Sequence, residues 1–199
     1  MNSRSLPAGT VALTVHRTPL GPVALGASDE AILYCVPAPL EQARRRLGPL
    51  ARELIENAGG FTPSQARLLS QARSEIDSYL RRERSSFTVP VDLRAATPFS
   101  QEVMLSLQAF VSYGHTATYT EIATKLLRPK AARAVGGALA ANPVCVILPC
   151  HRVVGSRGLT GYAGGLPAKR FLLALESAAP VTPENLLVTP ATAAERPAR

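Results

Sequence analysis

No run of apolar residues approaches the roughly 20 needed to cross a bilayer as a helix, although 46% of the 199 residues are hydrophobic. The opening residues, 1–9, lack the charged start and apolar stretch of a secretory signal. Cysteine and histidine are scarce, with three of each. Cys35, Cys145 and Cys150 form an odd set without regular spacing, which excludes a disulfide framework. No histidine pair stands at ligand spacing, and Cys35 and His16 lack the partners a zinc site needs, so no metal is expected. These absences point to a soluble cytoplasmic protein (nuclear in a eukaryote) whose cysteines work as thiols in a reducing compartment. Neither a membrane partner nor a cofactor is expected.

Acidic side chains are also in short supply. Fourteen Asp and Glu face 22 Lys and Arg, a net charge of +8. The surplus fits an acidic partner such as nucleic acid, or simply a basic soluble protein. Residues 97–178 carry eight basic side chains against three acidic ones, and residues 1–96 carry twelve against nine. The C-terminal portion is therefore the more basic per residue. The length suits one full domain or two small ones with a shared core.

The first third reads as an antiparallel meander. Strands are expected over Val11–Val15, Val23–Gly26 and Ala31–Val36, with turns at Thr18–Pro22 and Asp29–Glu30. Leu40, Ala43, Leu47, Leu50 and Leu54 have helical spacing, interrupted by Gly48-Pro49. Thr62-Pro63-Ser64-Gln65 is a capping box with proline at the first helical position, opening a helix that should reach about Arg84. Phe87–Leu93 is expected to be extended. Nothing in residues 1–95 suggests catalysis.

Thr97-Pro98 opens a helix that should end near Tyr113-Gly114. Thr118-Tyr119-Thr120-Glu121 is a second capping box, opening a short helix to Leu127. Arg128-Pro129 breaks it, and a further helix runs from Pro129 to Ala141, stopping at Asn142-Pro143. Two short helices with a tight break have the outline of a helix-turn-helix, which many helical hairpins share. Val144–Leu148 reads as a buried extended run, Pro149–Gly165 as turns, and Pro167–Glu176 as a last helix. The stretch from Pro180 to Arg199 is rich in Pro, Thr and Ala and is expected to be disordered.

Two segments carry chemistry. In Lys130–Ala141 almost every side chain is small, and only Lys130 and Arg133 are long and charged. Gly136 and Gly137 each cost a helix about 1 kcal/mol relative to alanine. Such a helix suits a narrow groove, or close packing on another helix. The second segment is Pro149-Cys150-His151-Arg152-Val153. Cys35, in a strand pattern, and Cys145, in an apolar run, read as inert core thiols. Cys150 borders a histidine and an arginine, and positive neighbours favour the nucleophilic thiolate. Adjacent side chains on an extended segment point apart, so a Cys150–His151 couple would need a tight turn or a bridging water.

Asn142-Pro143, Pro149–Val153, Gly161-Tyr162-Ala163-Gly164-Gly165 and the Lys130–Gly137 helix occur in order at tight spacing. Together they resemble the O6-alkylguanine-DNA alkyltransferases (methylated-DNA–protein-cysteine methyltransferases). The likeness spans about residues 90–177, upstream through Thr97-Pro98-Phe99, Tyr113-Gly114 and Tyr119, and Thr18–Val36 is more loosely similar to the family's N-terminal part.

The resemblance implies an α+β protein. It would have a small ribonuclease-H-like α/β domain over 1–95, a helical domain with a helix-turn-helix over 96–178, and a tail over 179–199. It implies a monomer that repairs double-stranded DNA by a single, irreversible transfer of an alkyl group from O6-alkylguanine to Cys150. Activity on O4-alkylthymine is left open. Arg133 would replace the extruded base, and Lys130, Ala131, Ala132, Gly136 and Gly137 would lie along the minor groove. Tyr119 would help rotate the nucleotide out. His151 would act as base through a water, oriented by Glu176, and Asn142 would hold the turn. Tyr162 and Gly164 would shape the pocket, with the backbone N–H groups of Val153 and Ala163 facing the base. Displacement at an alkyl carbon needs a soft, strong nucleophile, and flipping is needed because the duplex hides the atom.

Two positions depart from the family pattern. Ala163 stands where many relatives have serine, and Met104 where an aromatic is common; both bear on substrate range. The rival readings are a non-catalytic DNA-damage binder, which would lack the reactive cysteine, and a cysteine hydrolase, which would need a histidine brought from a distant segment.

Overall fold

A computed structural model describes residues 11–47, 61–94 and 96–177. The protein is α+β. Strands β1 (Ala12–Thr18), β2 (Gly21–Ala27) and β3 (Ile32–Pro37) form an antiparallel meander, followed by helices α1 (Leu40–Leu47) and α2 (Pro63–Leu80). Then come α3 (Pro98–Phe110), β4 (Ala117–Thr118), α4 (Tyr119–Lys125), α5 (Ala132–Ala140), β5 (Val153–Val154) and α6 (Gly165–Glu176). The continuation of α1 past Gly48 and the tail beyond residue 177 lie outside the described residues.

The central strand β2 is covered on both faces. Val23, Leu25 and Ala27 pack with Leu68, Leu69, Ala72 and Ile76 of α2. Ala24 faces the other way, joining Tyr34, Val36, Val103, Leu107 and Cys150 in a second cluster. The two-residue period of a strand thus feeds two cores from one sheet. A bulge where Ala27 pairs with Ile32 and Gly26 with Tyr34 lets Ile32 join the α2 side. The outer edge of β3 is not left bare. Ile32 N–H donates to Pro90 O (2.9 Å), Asp92 N–H returns to Ile32 O (2.9 Å), and Cys35 N–H donates to Pro143 O (2.7 Å). That last bond ties the meander to the segment leading into Cys150.

Both capping boxes form as expected. Thr62 accepts from Gln65 N–H at α2, and Thr118 accepts from Glu121 N–H at α4, each with the reciprocal side-chain bond. Helix α2 stops at Leu80 rather than Arg84, because Arg82 adopts a left-handed backbone (φ 63°) and bonds back to Tyr79 O. The Phe87–Leu93 segment is not a strand, and its one bridge joins Val91 to Ile32. The buried Glu75 carboxylate holds it instead, accepting from Thr88 N–H (2.9 Å), the Thr88 hydroxyl and Val89 N–H (3.3 Å). The expected Pro129–Ala141 helix begins as a 3₁₀ turn over Pro129–Ala131. The break before it falls at Leu127, whose φ of 59° is left-handed while its side chain is 89% exposed. The last helix starts at Gly165, two residues earlier than expected. No described helix is long and apolar enough to cross a membrane.

Candidate active site

Val144–Leu148 is buried as expected, but it is a turn rather than an extended run. Val146 has φ 73°, an uncommon conformation for a β-branched residue, and Leu148 N–H donates to Val144 O (3.0 Å). Asn142 is the pin of this turn. Fully buried, its Oδ1 accepts from Val144 N–H (3.0 Å), and its Nδ2 donates to Leu148 O (3.2 Å) and to Cys150 Sγ (3.0 Å). The chain then enters a 3₁₀ turn over Cys150–Arg152, which turns the Cys150 and His151 side chains away from the simple alternation of a strand.

Cys150 is 5% exposed and lines a cleft of about 400 Å³ with Tyr119, Gly136, Leu139, Ala140, Gly161, Tyr162 and Ala163. Its thiol is held below its ordinary value. The Cys145 thiol at 3.9 Å favours the thiolate, burial opposes it, and Asn142 Nδ2 and the Lys169 ammonium add to the lowering. The surroundings of the thiol differ from the sequence expectation at two points. Cys145, expected to be inert like Cys35, is a core residue that touches Cys150 Sγ, whereas burial alone pushes Cys35 up to about 12. The cation that acts on Cys150 is Lys169, not the adjacent Arg152, whose guanidinium turns back to Glu176 (2.8 Å) and Val111 O (3.0 Å). Lys169 Nζ donates to Val153 O (2.6 Å) and Thr160 O (3.1 Å), and burial pulls it down to about 8.

Behind the thiol lies a buried polar cluster. His151 Nε2 donates to Glu176 Oε1 (2.5 Å), which also accepts from the Tyr79 hydroxyl. Glu176 Oε2 accepts from Arg152 Nε and from Gly114 N–H (3.1 Å). Burial would raise the Glu176 carboxyl, but the His151 hydrogen bond, the Arg152 charge and the Tyr79 hydroxyl hold it at about 2. Burial keeps His151 neutral by pushing it below its ordinary value, against the pull of Glu176. With Nε2 carrying the proton, Nδ1 presents a lone pair, and it has no hydrogen-bond partner among the described residues. Tyr79, in α2, escaped the reading of the sequence that found nothing catalytic before residue 96. Its only local signal is a large aromatic on the buried face of a helix.

The remaining expected residues divide. Tyr119 opens α4 beside the cleft, placed there by the parallel β4–β5 pair, and its hydroxyl bonds Thr160 Oγ1 (2.7 Å). Tyr162 and Ala163 line the cleft; Val153 and Gly164 do not. The Val153 N–H, expected to face a bound base, donates to Cys150 O and closes the 3₁₀ turn. On α5, Val135, Ala138 and Leu139 are buried, whereas Arg133 and Gly137 are exposed. A Cβ on Gly137 would meet nothing within 4 Å, and one on Gly136 would touch only the Tyr119 ring at 3.7 Å. Packing on another helix therefore does not explain Gly137. Ala131 and Ala132 are half-buried, and Lys130 is exposed beside them. His16 bonds Asp77 (2.7 Å) and exposed His115 bonds Tyr113 O (3.1 Å); neither lines the Cys150 cleft. Among the described residues no group of three or more His, Cys, Asp or Glu side chains is placed to hold a metal ion.

Known proteins resemble this chain in both sequence and fold. Residues 98–178 match the family described as "6-O-methylguanine DNA methyltransferase, DNA binding domain". A methylated-DNA–protein-cysteine methyltransferase of Methanosarcina acetivorans is 36% identical over 163 residues, covering 81% of this chain and 96% of that protein. The crystal structure of Mycobacterium tuberculosis O6-methylguanine methyltransferase superposes with a TM-score of 0.69 at 37% identity, covering 86% of this chain and 96% of the other. The structure of Mycobacterium tuberculosis OGT in complex with DNA gives 0.68 at 34% identity, covering 88% and 99%. Built around a cleft-lining cysteine, with relatives matched over nearly their whole length, the chain belongs to the methylated-DNA–protein-cysteine methyltransferase family.

Proposed function

We propose that the protein repairs DNA by moving the alkyl group of an O6-alkylguanine onto Cys150 Sγ, once per molecule. The observation that carries this reading is a lowered-pKa thiol on the wall of a cleft, backed by a neutral histidine whose proton is committed to a carboxylate.

The Cys150 proton passes through one water to His151 Nδ1, and Glu176 stabilises the imidazolium that forms. The thiolate attacks the alkyl carbon in line, an S–C bond forms, and the C–O6 bond breaks with its electron pair on guanine. The Tyr119 hydroxyl, freed from Thr160, donates toward the base as negative charge develops there. Asn142 acts twice, fixing the turn and solvating the thiolate. Among the described residues no group beside the thioether product could cleave it, so the protein is consumed.

The DNA reading uses α4 and α5 as a helix-turn-helix in a ribonuclease-H-like plus helical arrangement, with units over 1–95 and 96–178. The exposed, small-residue side of α5 suits a minor groove, with Gly137 allowing close approach and Lys130 meeting phosphate. Arg133, exposed on the same helix, fills the space of the flipped nucleotide and offsets part of its unstacking cost. Tyr162, Ala163 and Gly161 bound the pocket for the extruded base. The protein acts as a cytoplasmic monomer.

Intact-mass spectrometry after mixing with duplex DNA carrying one O6-methylguanine tests the assignment. One methyl group should be gained per molecule, mapping to Cys150, and Cys150→Ser should gain none while still binding DNA. Tight binding of the lesion without any mass gain would replace transfer with damage recognition.

A further inference from the structure

Cys145 and Cys150 stand on the two limbs of the turn that Asn142 pins, with their sulfurs 3.9 Å apart. Asn142 touches both: its carbonyl accepts from Cys145 Sγ (3.5 Å) and its Nδ2 donates to Cys150 Sγ. The turn is held by Leu148 N–H to Val144 O and by Cys150 N–H to Leu148 O (2.8 Å). A disulfide needs the sulfurs at about 2.05 Å, so closure requires the two side chains to rotate toward each other. Access is unequal. Cys150 lines the open cleft, whereas Cys145 is fully buried and does not. An oxidant entering the cleft therefore meets Cys150 first and finds a second thiol directly behind it.

We propose that Cys145 is a resolving thiol, making Cys145–Cys150 a reversible oxidation site that closes as a disulfide when the cleft admits a hydroperoxide. The Cys150 thiolate attacks one peroxide oxygen, the O–O bond breaks, and hydroxide leaves and is protonated to water, giving a Cys150 sulfenic acid. The Cys145 sulfur then attacks the Cys150 sulfur. The S–O bond breaks, and the hydroxyl leaves with the Cys145 proton as a second water. Two thiols and one hydrogen peroxide become one disulfide and two waters. An external dithiol restores both thiols by exchange. The site protects a protein that has one acceptor sulfur to spend, because a disulfide is recoverable whereas a sulfinic acid is not. The inference rests on Cys150 being the accessible nucleophile of the proposed function.

The test treats the full chain and its Cys145→Ala and Cys145→Ser variants with hydrogen peroxide, alkylates the denatured proteins, and digests them with trypsin. The peptide Ala134–Arg152 carries both thiols, and Cys35 falls on a separate peptide. In the parent, Ala134–Arg152 should lose two hydrogens and resist alkylation while Cys35 is alkylated. Methyl transfer, scored against each protein's own untreated sample, should vanish and return with dithiothreitol. In both variants Cys150 should advance to the sulfinic or sulfonic acid, and transfer should stay lost. The proposal is overturned if parental Cys145 remains alkylatable while Cys150 is oxidised. It is equally overturned if both thiols survive peroxide, or if the variants recover as fully as the parent. Failure of untreated protein to transfer methyl would instead count against the function reading, since the peptide masses report on the disulfide independently.

Discussion

Replacing Glu176 by glutamine keeps the shape of the side chain and removes its charge, which isolates what the buried carboxylate does. Its two oxygens each accept two donors: His151 Nε2 and the Tyr79 hydroxyl on one, Arg152 Nε and Gly114 N–H on the other. An amide has one acceptor oxygen and one donor NH₂, so one pair of donors must face another donor. If the NH₂ faces His151, the imidazole must move its proton to Nδ1 and loses the lone pair that serves as base. If it faces Arg152, a buried guanidinium that has already lost its counter-ion also loses its acceptor, a situation that costs about 3–5 kcal/mol. Holding the carboxyl at about 2 rather than the ordinary 4.5 is itself worth about 3 kcal/mol to the folded state at neutral pH.

The sign follows from the depressed value. The stabilisation is complete above 4.5 and is lost as the pH falls toward 2. Urea denaturation of the parent and Glu176→Gln should therefore show a gap of about 3 kcal/mol near neutrality that narrows steadily below pH 4.5. Single-turnover methyl transfer should slow by about 10²-fold or more with the loss of an oriented base, while affinity for undamaged DNA stays unchanged. A stability gap of the same size at neutral pH and well below 4.5 would refute the electrostatic argument.

Three further outcomes are expected. Arg133→Ala should slow repair of duplex DNA more than reaction with the free alkylated base, and equal slowing of both would remove its role in flipping. Lys169→Met should raise the pH at which iodoacetamide modifies Cys150, since the ammonium favours the thiolate; an unchanged profile would show that Cys145 and Asn142 suffice. Leu127→Gly should raise stability by about 0.5–1 kcal/mol, because a glycine accepts the left-handed φ of 59° without the Cβ clash and the exposed leucine packs on little. A fall in melting temperature would show that the Leu127 side chain contributes more than its exposure indicates.

Features whose partners lie within a few residues were readable from the sequence. The capping boxes at Thr62 and Thr118 were legible because an N-cap hydroxyl and its N3 partner are three positions apart. The meander was legible from its alternation and turns, and the Asn142-Pro143 and Pro149–Val153 motifs singled out Cys150 among three cysteines. Helix ends set by a left-handed residue, Arg82 after α2 and Leu127 after α4, were not legible, because neither is a glycine that would mark the conformation.

Which groups act on the thiol and on its histidine became visible only once distant segments had packed together. Tyr79 reaches Glu176 across 97 positions of sequence, and Lys169 reaches the Val153 carbonyl from α6. Arg152, inside the motif, turns away from the thiol into an ion pair with Glu176. Cys145 looked inert as part of an apolar run, and the left-handed Val146 folded that run into a turn that brings its sulfur against Cys150. Local hydrogen bonds are set by chain spacing, which a sequence displays. The electrostatics of a buried site depend on through-space distance and lost solvent, which exist only once the two cores have packed.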